Sequence, residues 1–322
     1  DPARFAAPLV VCNRTHRFLV AEQLHELGIA PQQTVLEPAP RNTAPAACTA
    51  ALLIARSQPE ALLMLLPSDH LVQDVPGFLA AVDRAAEAAA HGWIVTFGAR
   101  PDRAETGYGY IQQGEGLGDC AGSFRIARFV EKPDRPTAES YLASGQYLWN
   151  SGMFLMSAGR LLEEMERYQP RIMAACRKAL AAASSDEDFL RLDEAAFGEQ
   201  PALSFDVAVM ERTGQGVVVP IDIGWSDVGS WDSLYQVASK DDRGNVLNGD
   251  VVAVDCDNSY LHSAAMPIAA LGLEGITVVG TADALLVCRR ERSQDLALMV
   301  ERLAGDPRYV SLVRRMASGA ND

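Results

Sequence analysis

Short apolar runs alternate with stretches of helical hydrophobic spacing along roughly the first hundred residues of the chain. The apolar runs at 8–12, 34–36, 62–66 and 93–98 predict strands, and the spacing at 17–27, 44–56 and 77–91 predicts helices. This alternation of strand and helix is typical of an α/β fold with a doubly wound mixed sheet.

The run at 62–70, LLMLLPSDH, is the strongest local signal. An unbroken apolar run that stops at a proline predicts a buried strand, in a parallel sheet covered on both faces. Because ligands of open α/β sheets bind beyond the carboxyl ends of the strands, Asp69 is a candidate for contact with a substrate. The alternative is that Ser68 or Asp69 caps the next helix.

The middle of the chain predicts further strands and helices, and the end of the chain predicts a second, smaller region. Strands are predicted at 106–112, 124–131, 147–156 (interrupted at 150–152) and 216–220, with helices at 136–144 and 160–183. After about residue 240 short runs of valine, isoleucine and leucine between glycines and asparagines indicate a β-rich appendage without a clean hexapeptide repeat. A helix at 292–304 with an apolar stripe is expected to close it. The predicted domains are 1–239 and 240–322.

Composition narrows the classes of function. The net charge of −14 argues against a surface for nucleic acid or an anionic membrane. No apolar run approaches the ~18 residues of a membrane span, and no secretory signal opens the sequence. The six cysteines are scattered without a CxxC spacing, which predicts reduced thiols in a cytoplasmic protein.

Four stretches have polar residues where a hydrophobic core alone would not need them. They are Asp69 in PSDH, Glu131 with Lys132 in FVEKP, Asn150 in WNSG and Asp227 in GWSDVGSW. Each has a structural alternative: a helix cap for either aspartate, an exposed turn pair for FVEKP, and a satisfied buried amide for Asn150. Together, carboxylates, a lysine and an amide suit phosphoryl or nucleotidyl transfer. The sequence contains neither a P-loop nor a convincing catalytic triad.

At these positions the sequence resembles the nucleotide-sugar pyrophosphorylases, and among them the bacterial mannose-1-phosphate guanylyltransferases. The segments EPAPRNTAPA, LPSDH, GYGYI, FVEKP, WNSGMF, SFDVAVME and GWSDVGSW occur in that family's order, over about residues 8–290. The resemblance implies transfer of GMP from GTP to mannose 1-phosphate, giving GDP-mannose and pyrophosphate by direct in-line attack with Mg²⁺.

The resemblance also implies roles for single residues. Asp69 and Asp227 would be the Mg²⁺ ligands, and together with Lys132 they would be the catalytic groups. Glu131 and Asn150 would bind mannose hydroxyls, and Lys132 would bind the sugar phosphate. The remaining positions lie in loops: Gly109 and Tyr110 against the sugar, and Arg41, Asn42, Thr43, Ser68 and Asp69 beside the nucleotide.

The sequence departs from the family pattern in two places. The Gly-rich triphosphate loop, GGxGxRLWPxSRxxxPK, is expected ahead of residue 8 and does not occur, so this chain alone is expected to be inactive. No His-rich cupin pattern follows residue 290, so the isomerase activity of some relatives is not expected here. The family further implies that the appendage is a short left-handed β-helix that packs on the catalytic domain and contributes to a homodimer.

Two other interpretations stay open. A related enzyme with another base or sugar phosphate would share most of these motifs, and a screen of bases and sugars separates the two. A non-catalytic, nucleotide-sugar-binding regulatory protein with the same fold is favoured by the missing loop. A dinucleotide-binding Rossmann domain is disfavoured, because no GxGxxG follows a strand.

Overall fold

The computed structural model describes residues 3–186, 188–311 and 313. The chain divides into two compact units, the first formed by residues up to Ser68 together with Val72–Trp225, the second by Asp69–Leu71 and the chain from Ser226 onward. The strands of the first unit are β1 (Leu9–Asn13), β2 (Gln33–Glu37), β3 (Leu62–Leu65), β4 (Ile94–Ala99), β5 (Tyr110–Gly116), β6 (Phe124–Val130), β7 (Tyr147–Ser157), β8 (Ser184–Asp186), β9 (Phe189–Arg191) and β10 (Gly216–Ile221). Its helices are α1 (Arg17–Glu26), α2 (Thr43–Ala55), α3 (Val75–Ala90), α4 (Arg135–Ser144), α5 (Ala158–Tyr168), α6 (Pro170–Ala181) and α7 (Glu194–Gly198), with a π-helical turn at Asp206–Met210.

A mixed six-stranded sheet is the centre of the first unit. Its order is β3-β7-β4-β10-β6-β5, and β5 also pairs with the first residues of β7. Strands β4 and β10 are parallel, and all the other pairs are antiparallel. Successive side chains point to opposite faces, so Ile94 packs in the core on one side of the sheet and Val95 in the core on the other. Helices α2, α5 and α6 cover the first face and α3 and α4 the second, which confirms the doubly wound α/β class.

The prediction for the run at 62–66 is wrong in one respect. Strand β3 stands at the edge of the sheet and pairs antiparallel with β7, not within a parallel ladder. Leu62 is 39% exposed and Leu66 is 54% exposed. An apolar run indicates that a strand packs against other apolar residues. It does not distinguish a central strand from an edge strand.

Two further boundaries differ from those predicted. The helix predicted at 160–183 is two helices, because Pro170 lacks an N–H group and begins α6 as its first residue. Strand β7 continues through 150–152, but its register with β4 shifts between Thr96 and Gly98, and Gly152 there has a φ of 69°. The glycine therefore accommodates a bulge at the position where a break was predicted.

A second, four-stranded sheet of the first unit has the order β1-β2-β9-β8. Helix α1 ends at Glu26, one residue before its predicted end. Phe18 is 65% exposed and Leu19 is 55% exposed, so these two apolar residues do not face a core. All six cysteines lie among the described residues and are free thiols, as predicted.

The second unit begins its helical and strand structure with α8 (Trp231–Val237), followed by β11 (Val246–Asn248), β12 (Val251–Val254), β13 (Tyr260–Ser263), β14 (Ile268–Leu271), β15 (Ile276–Gly280), β16 (Leu285–Arg289) and α9 (Leu296–Ala304). Strands β11, β13 and β15 form one parallel ladder and β12 and β14 another, so successive strands alternate between two sheets. Asp255 and Asn258 turn the chain with φ of 50° each. This is the coil of a β-helix, and it confirms the predicted β-rich appendage.

The end of the second unit differs from the prediction. A 3₁₀ helix at Arg290–Asp295 precedes α9, so the α-helix starts four residues later than expected. Val300 of the predicted buried stripe is 44% exposed. The domain boundary at 239/240 stays a prediction.

Candidate functional site

Strand register brings three distant motifs of the first unit together. Tyr110 pairs with Val130 across β5 and β6, and with Trp149 across β5 and β7. The residues next to these pairs therefore lie side by side: Gly109 just before β5, Glu131 just after β6, and Asn150 within β7. The backbone N–H of Asn150 donates to the carbonyl of Gly109 at 2.8 Å.

Gly109 leaves the space that this arrangement needs. A Cβ on Gly109 would lie 2.5 Å from Oε2 of Glu131 and 3.3 Å from Cβ of Asn150. Real Cβ atoms do not approach a carboxylate oxygen so closely. The glycine therefore allows the Glu131 carboxylate and the Asn150 side chain to border the same small region.

Lys132 follows Glu131 with an unusual backbone. Its φ is 48°, a left-handed conformation that costs a non-glycine residue of order 1 kcal/mol. Its ammonium lies 3.0 Å from Oε1 of Glu131, with its side chain 63% exposed and that of Glu131 17% exposed. An ion pair as exposed as this contributes little to stability, so the pair leaves the ammonium accessible to an anionic ligand.

Asn150 is both buried and hydrogen-bonded, as expected for a satisfied buried amide. It is 7% exposed, its Nδ2 lies 2.6 Å from Oδ1 of Asp206, and its Oδ1 lies 2.8 Å from Oγ1 of Thr96. These two contacts leave one N–H and one lone pair of the amide for another partner.

Asp206 belongs to this cluster, and the sequence predicted no role for it. Burial, and then the neighbouring Glu131 carboxylate, raise the pKa of Asp206 to about 6, against the opposing effects of Asn150 and Lys132. It begins the π-helical turn, a feature frequent at functional sites. The only signal in the sequence is a carboxylate preceding the apolar run VAVM.

The residues predicted beside the nucleotide also lie in the first unit, apart from Asp69. Asn42 has a φ of 66° and caps α2, its Oδ1 accepting from the N–H of Thr43 at 2.9 Å. Oγ1 of Thr43 accepts from the N–H of Phe205 at 2.9 Å, and Arg41 donates to the carbonyl of Gly198 at 2.7 Å. Ser68 is exposed.

Two polar atoms near this loop have no hydrogen-bond partner within the described parts of the chain. They are Oε1 of Glu37 and Nε of Arg41, both buried. Burial raises the pKa of Glu37 to about 7. Buried polar atoms are normally paired, so these two mark a place where a polar ligand or water is expected.

The second unit contains the two predicted metal ligands. Leu71 and Ser226 exchange backbone hydrogen bonds of 2.8 and 3.1 Å as an antiparallel bridge, which places the chain around Asp69 beside the chain around Asp227. Burial lowers the pKa of His70, and the carboxylates of Asp69 and Asp227 partly oppose this effect.

The capping alternatives for both aspartates are excluded. Asp74 caps α3, its Oδ1 accepting from the N–H of Gly77 at 3.0 Å, and Ser230 caps α8. Asp227 instead accepts from the N–H of Gly229 at 3.0 Å. Within the described ranges there is no group of three or more His, Cys, Asp or Glu that could hold a metal ion. Two carboxylates suit a divalent cation that keeps water or substrate phosphates as its other ligands.

The chain belongs to the nucleotidyl transferase family. The family model described as nucleotidyl transferase matches residues 2–244, and a model described as MannoseP isomerase/GMP-like beta-helix domain matches residues 249–303. The second match covers most of the strands that form the two ladders of the second unit.

Several curated proteins are similar to the chain over nearly its full length. The xanthan biosynthesis protein XanB of Xanthomonas campestris pv. campestris (strain B100) is 51% identical over 302 residues, which is 94% of this chain and 64% of XanB. A mannose-1-phosphate guanylyltransferase of Escherichia coli (strain K12) is 48% identical over 314 residues, covering 96% of this chain and 66% of the relative. The chain thus spans about two thirds or slightly less of the length of these proteins.

The chain is also similar in fold to solved structures. A crystal structure described as mannose-1-phosphate geranyltransferase from Thermus thermophilus matches with a TM-score of 0.78 and 32% identity, covering 92% of this chain and 84% of that one. Among the described residues no helix combines the length and apolar character needed to cross a bilayer.

Proposed function

We propose that the protein transfers a guanylyl group from GTP to mannose 1-phosphate, giving GDP-mannose and pyrophosphate. The observation that carries the proposal is the convergence of four residues, Gly109, Glu131, Lys132 and Asn150, where β5, β6 and β7 meet. A carboxylate that accepts hydrogen bonds, an ammonium group and an amide there border one small region. Such a set fits a phosphorylated sugar. The name of the E. coli relative supplies the particular sugar and base.

The residues of the first unit bind and orient the acceptor in this proposal. Glu131 accepts hydrogen bonds from sugar hydroxyls, Asn150 offers its remaining amide groups, and Lys132 neutralises the sugar phosphate. Holding the phosphate oxygen in line with the α-phosphorus converts a bimolecular reaction into one between positioned groups. A bond then forms between that oxygen and the α-phosphorus of GTP. The bond from the α-phosphorus to the oxygen that bridges to the β-phosphorus breaks, and pyrophosphate leaves with its electrons.

The assignment of residues to the nucleotide rests on the resemblance and on two buried polar atoms, Oε1 of Glu37 and Nε of Arg41, that have no hydrogen-bond partner among the described residues. Arg41, Asn42, Thr43 and Ser68 are assigned to the nucleotide, with Tyr110 behind the sugar. Arg41 retains an unpaired Nε that could donate to the nucleotide. Each charged group of this kind is worth about 3 kcal/mol of barrier where it meets charge that develops in the transition state.

Asp69 and Asp227 would hold Mg²⁺. A bound Mg²⁺ would supply positive charge that reduces the repulsion between the two phosphate-bearing substrates. A homodimer and a cytoplasmic location are kept as parts of the same proposal.

Calorimetric titration of the chain with sugar nucleotides tests the proposal. GDP-mannose should bind at least about tenfold more tightly than UDP-glucose or dTDP-glucose. A preference for another base or sugar would assign the protein to a related transferase. If the full-length gene product binds GDP-mannose but forms none from GTP and mannose 1-phosphate, the regulatory interpretation is correct.

A further inference from the structure

A chain of three polar side chains crosses the first unit behind the predicted sugar-binding groups. Oγ1 of Thr96 lies 2.8 Å from Oδ1 of Asn150 and 3.0 Å from the carbonyl oxygen of Met153, and Nδ2 of Asn150 lies 2.6 Å from Oδ1 of Asp206. Thr96 is fully buried and Asn150 almost so. Water cannot easily replace any of these partners, so the contacts must satisfy one another.

The proton count of this chain permits two arrangements. The Thr96 hydroxyl has one proton but faces two oxygens, and the Met153 carbonyl can only accept. If the proton points to Asn150, the amide oxygen faces Thr96 and the amide nitrogen donates to an ionised Asp206. If the proton points to Met153, Thr96 must accept from the amide nitrogen, and the amide oxygen then needs a proton from Asp206.

The two arrangements therefore differ by one proton on Asp206 and by a half-turn of the Asn150 amide. Protonation of Asp206 gives it an O–H that donates to Oδ1 of Asn150, while Nδ2 donates to Thr96 and Thr96 donates to Met153. No other bond is made or broken. The amide nitrogen and oxygen exchange places, and so do the N–H and the lone pair that are left for a ligand.

The surroundings of Asp206 allow both protonation states. Burial and the Glu131 carboxylate favour the neutral acid and raise its pKa to about 6, whereas Lys132 favours the anion. Glu211, at the other end of the same turn, accepts from the N–H of Glu131 at 3.3 Å and adds a second carboxylate nearby.

One more charged pair lies on a neighbouring element. Helix α5 packs against the π-helical turn and carries the buried Glu164, with an oxygen 3.9 Å from the guanidinium of Arg160. The elements around Asp206 therefore carry both carboxylates and cations.

We propose that Asp206 is a positioning residue whose protonation turns the Asn150 amide over, and that a sugar nucleotide binds the arrangement in which Asp206 is protonated. A sugar seated against Glu131 and Asn150 removes water from Asp206, and loss of water favours the neutral acid. Binding therefore takes up a proton. This inference rests on the proposed function, because it needs a ligand at Glu131 and Asn150.

Proton uptake is measured by titrating GDP-mannose into the chain in two buffers of different ionisation enthalpy. GDP-mannose is suitable because each of its two phosphates is esterified on both sides and therefore does not take up a proton near neutral pH. In the wild type we expect the affinity to rise as the pH falls through about 7 to 6, by up to tenfold for each pH unit. Near the middle of this range we expect a sizeable fraction of one proton to be taken up for each ligand bound.

Asp206→Asn should abolish this uptake, because the amide at position 206 cannot ionise but retains an acceptor and a donor for Asn150. The matched control is Asp222→Asn, which removes an exposed carboxylate from the same unit and should leave the uptake as it is in the wild type. A purely structural role for Asp206 would lower affinity or stability without changing the number of protons, and equal uptake by the wild type and Asp206→Asn overturns the inference.

Failure of the proposed function gives a different result, namely no binding of GDP-mannose by the wild type at any pH.

A measurement on the wild type alone covers the case in which Asp206→Asn does not fold. The side-chain amide resonances of Asn150 should move with pH along a curve centred near 6, the pKa of Asp206. Resonances that do not move over this range contradict the amide turn.

Discussion

Adding one methyl group at Gly109 should weaken sugar binding while leaving the fold intact. In Gly109→Ala the new Cβ would lie 2.5 Å from Oε2 of Glu131 and 3.3 Å from Cβ of Asn150. The first distance is impossible, so the Glu131 carboxylate must swing away. Because it is the end of a flexible side chain, the backbone can stay in place.

The size of the effect follows from what Glu131 loses. A hydrogen bond between a carboxylate and a sugar hydroxyl contributes about 1.5–3 kcal/mol, so the Kd for GDP-mannose should rise roughly 10- to 150-fold. Stability should change by less than about 1 kcal/mol. The ion pair of Glu131 with Lys132 is partly exposed and weak, and alanine restricts the unfolded chain more than glycine does.

The assay is calorimetric titration of GDP-mannose, with urea unfolding measured on the same samples. Gly118→Ala is the matched control, since a Cβ on Gly118 has nothing within 4 Å. The reasoning is refuted if Gly109→Ala binds the ligand as tightly as the wild type. It is equally refuted if affinity and stability fall together, because that result would mean that the backbone moved.

Three further predictions follow from single side chains. Lys132→Met should raise the KM for mannose 1-phosphate in the full-length gene product far more than the KM for GTP. Lys178, a lysine of similar exposure that lies 2.8 Å from a glutamate, is the control, and Lys178→Met should change neither KM. Equal increases in both KM values would contradict the assignment of Lys132. Asp227→Asn should weaken binding of Mn²⁺, used as a spectroscopic probe for Mg²⁺, by about tenfold or more, and an unchanged Kd would remove Asp227 from the metal site. Glu37→Gln should stabilise the protein at alkaline pH: burial raises the pKa of Glu37 from 4.5 to about 7, so the wild type loses up to about 3 kcal/mol as the pH rises through this range. Urea unfolding at about pH 9 and pH 4 checks the sign, since the variant should be more stable at the higher pH only.

The local elements could be predicted from the sequence because their causes are local. Hydrophobic spacing fixed α3 to within two residues, and the alternation in FRIARFV marked β6. Asn42 capped α2 as its position before the apolar helix indicated. Each of these depends on residues only a few positions apart.

The partners of each strand could not be predicted in the same way. The placement of β3 at the sheet edge depends on β7, more than eighty residues later in the sequence. The division between α5 and α6 was missed although Pro170 was visible, because the apolar spacing continues across it. Periodicity describes which face of an element is buried and not what covers it.

The candidate site was predicted as a set of residues but not as a geometry. Glu131 and Asn150 were named from their motifs, yet only the register of β5 with β6 and β7 shows that they adjoin Gly109. Asp206 escaped prediction because an aspartate before VAVM has no distinguishing spacing. Its character comes from burial and from two neighbours, Asn150 and Glu131, that lie far away in the sequence.

Three features of the first unit cost stability and are explained by ligand binding. Lys132 keeps a left-handed backbone without being glycine, and Asp206 keeps a buried carboxylate whose pKa is raised. Position 109 keeps a glycine, which loses more conformational entropy on folding than other residues, to make room for the Glu131 carboxylate. Each could be relieved by one substitution without rebuilding the sheet. All three lie around the side chains of Glu131 and Asn150. Unfavourable residues concentrated at one place are expected of a binding site and not of a core. Filling the position of Gly109 with a side chain should therefore weaken ligand binding, whereas Asp206→Asn should remove the buried carboxylate and, with it, the proton uptake that accompanies binding.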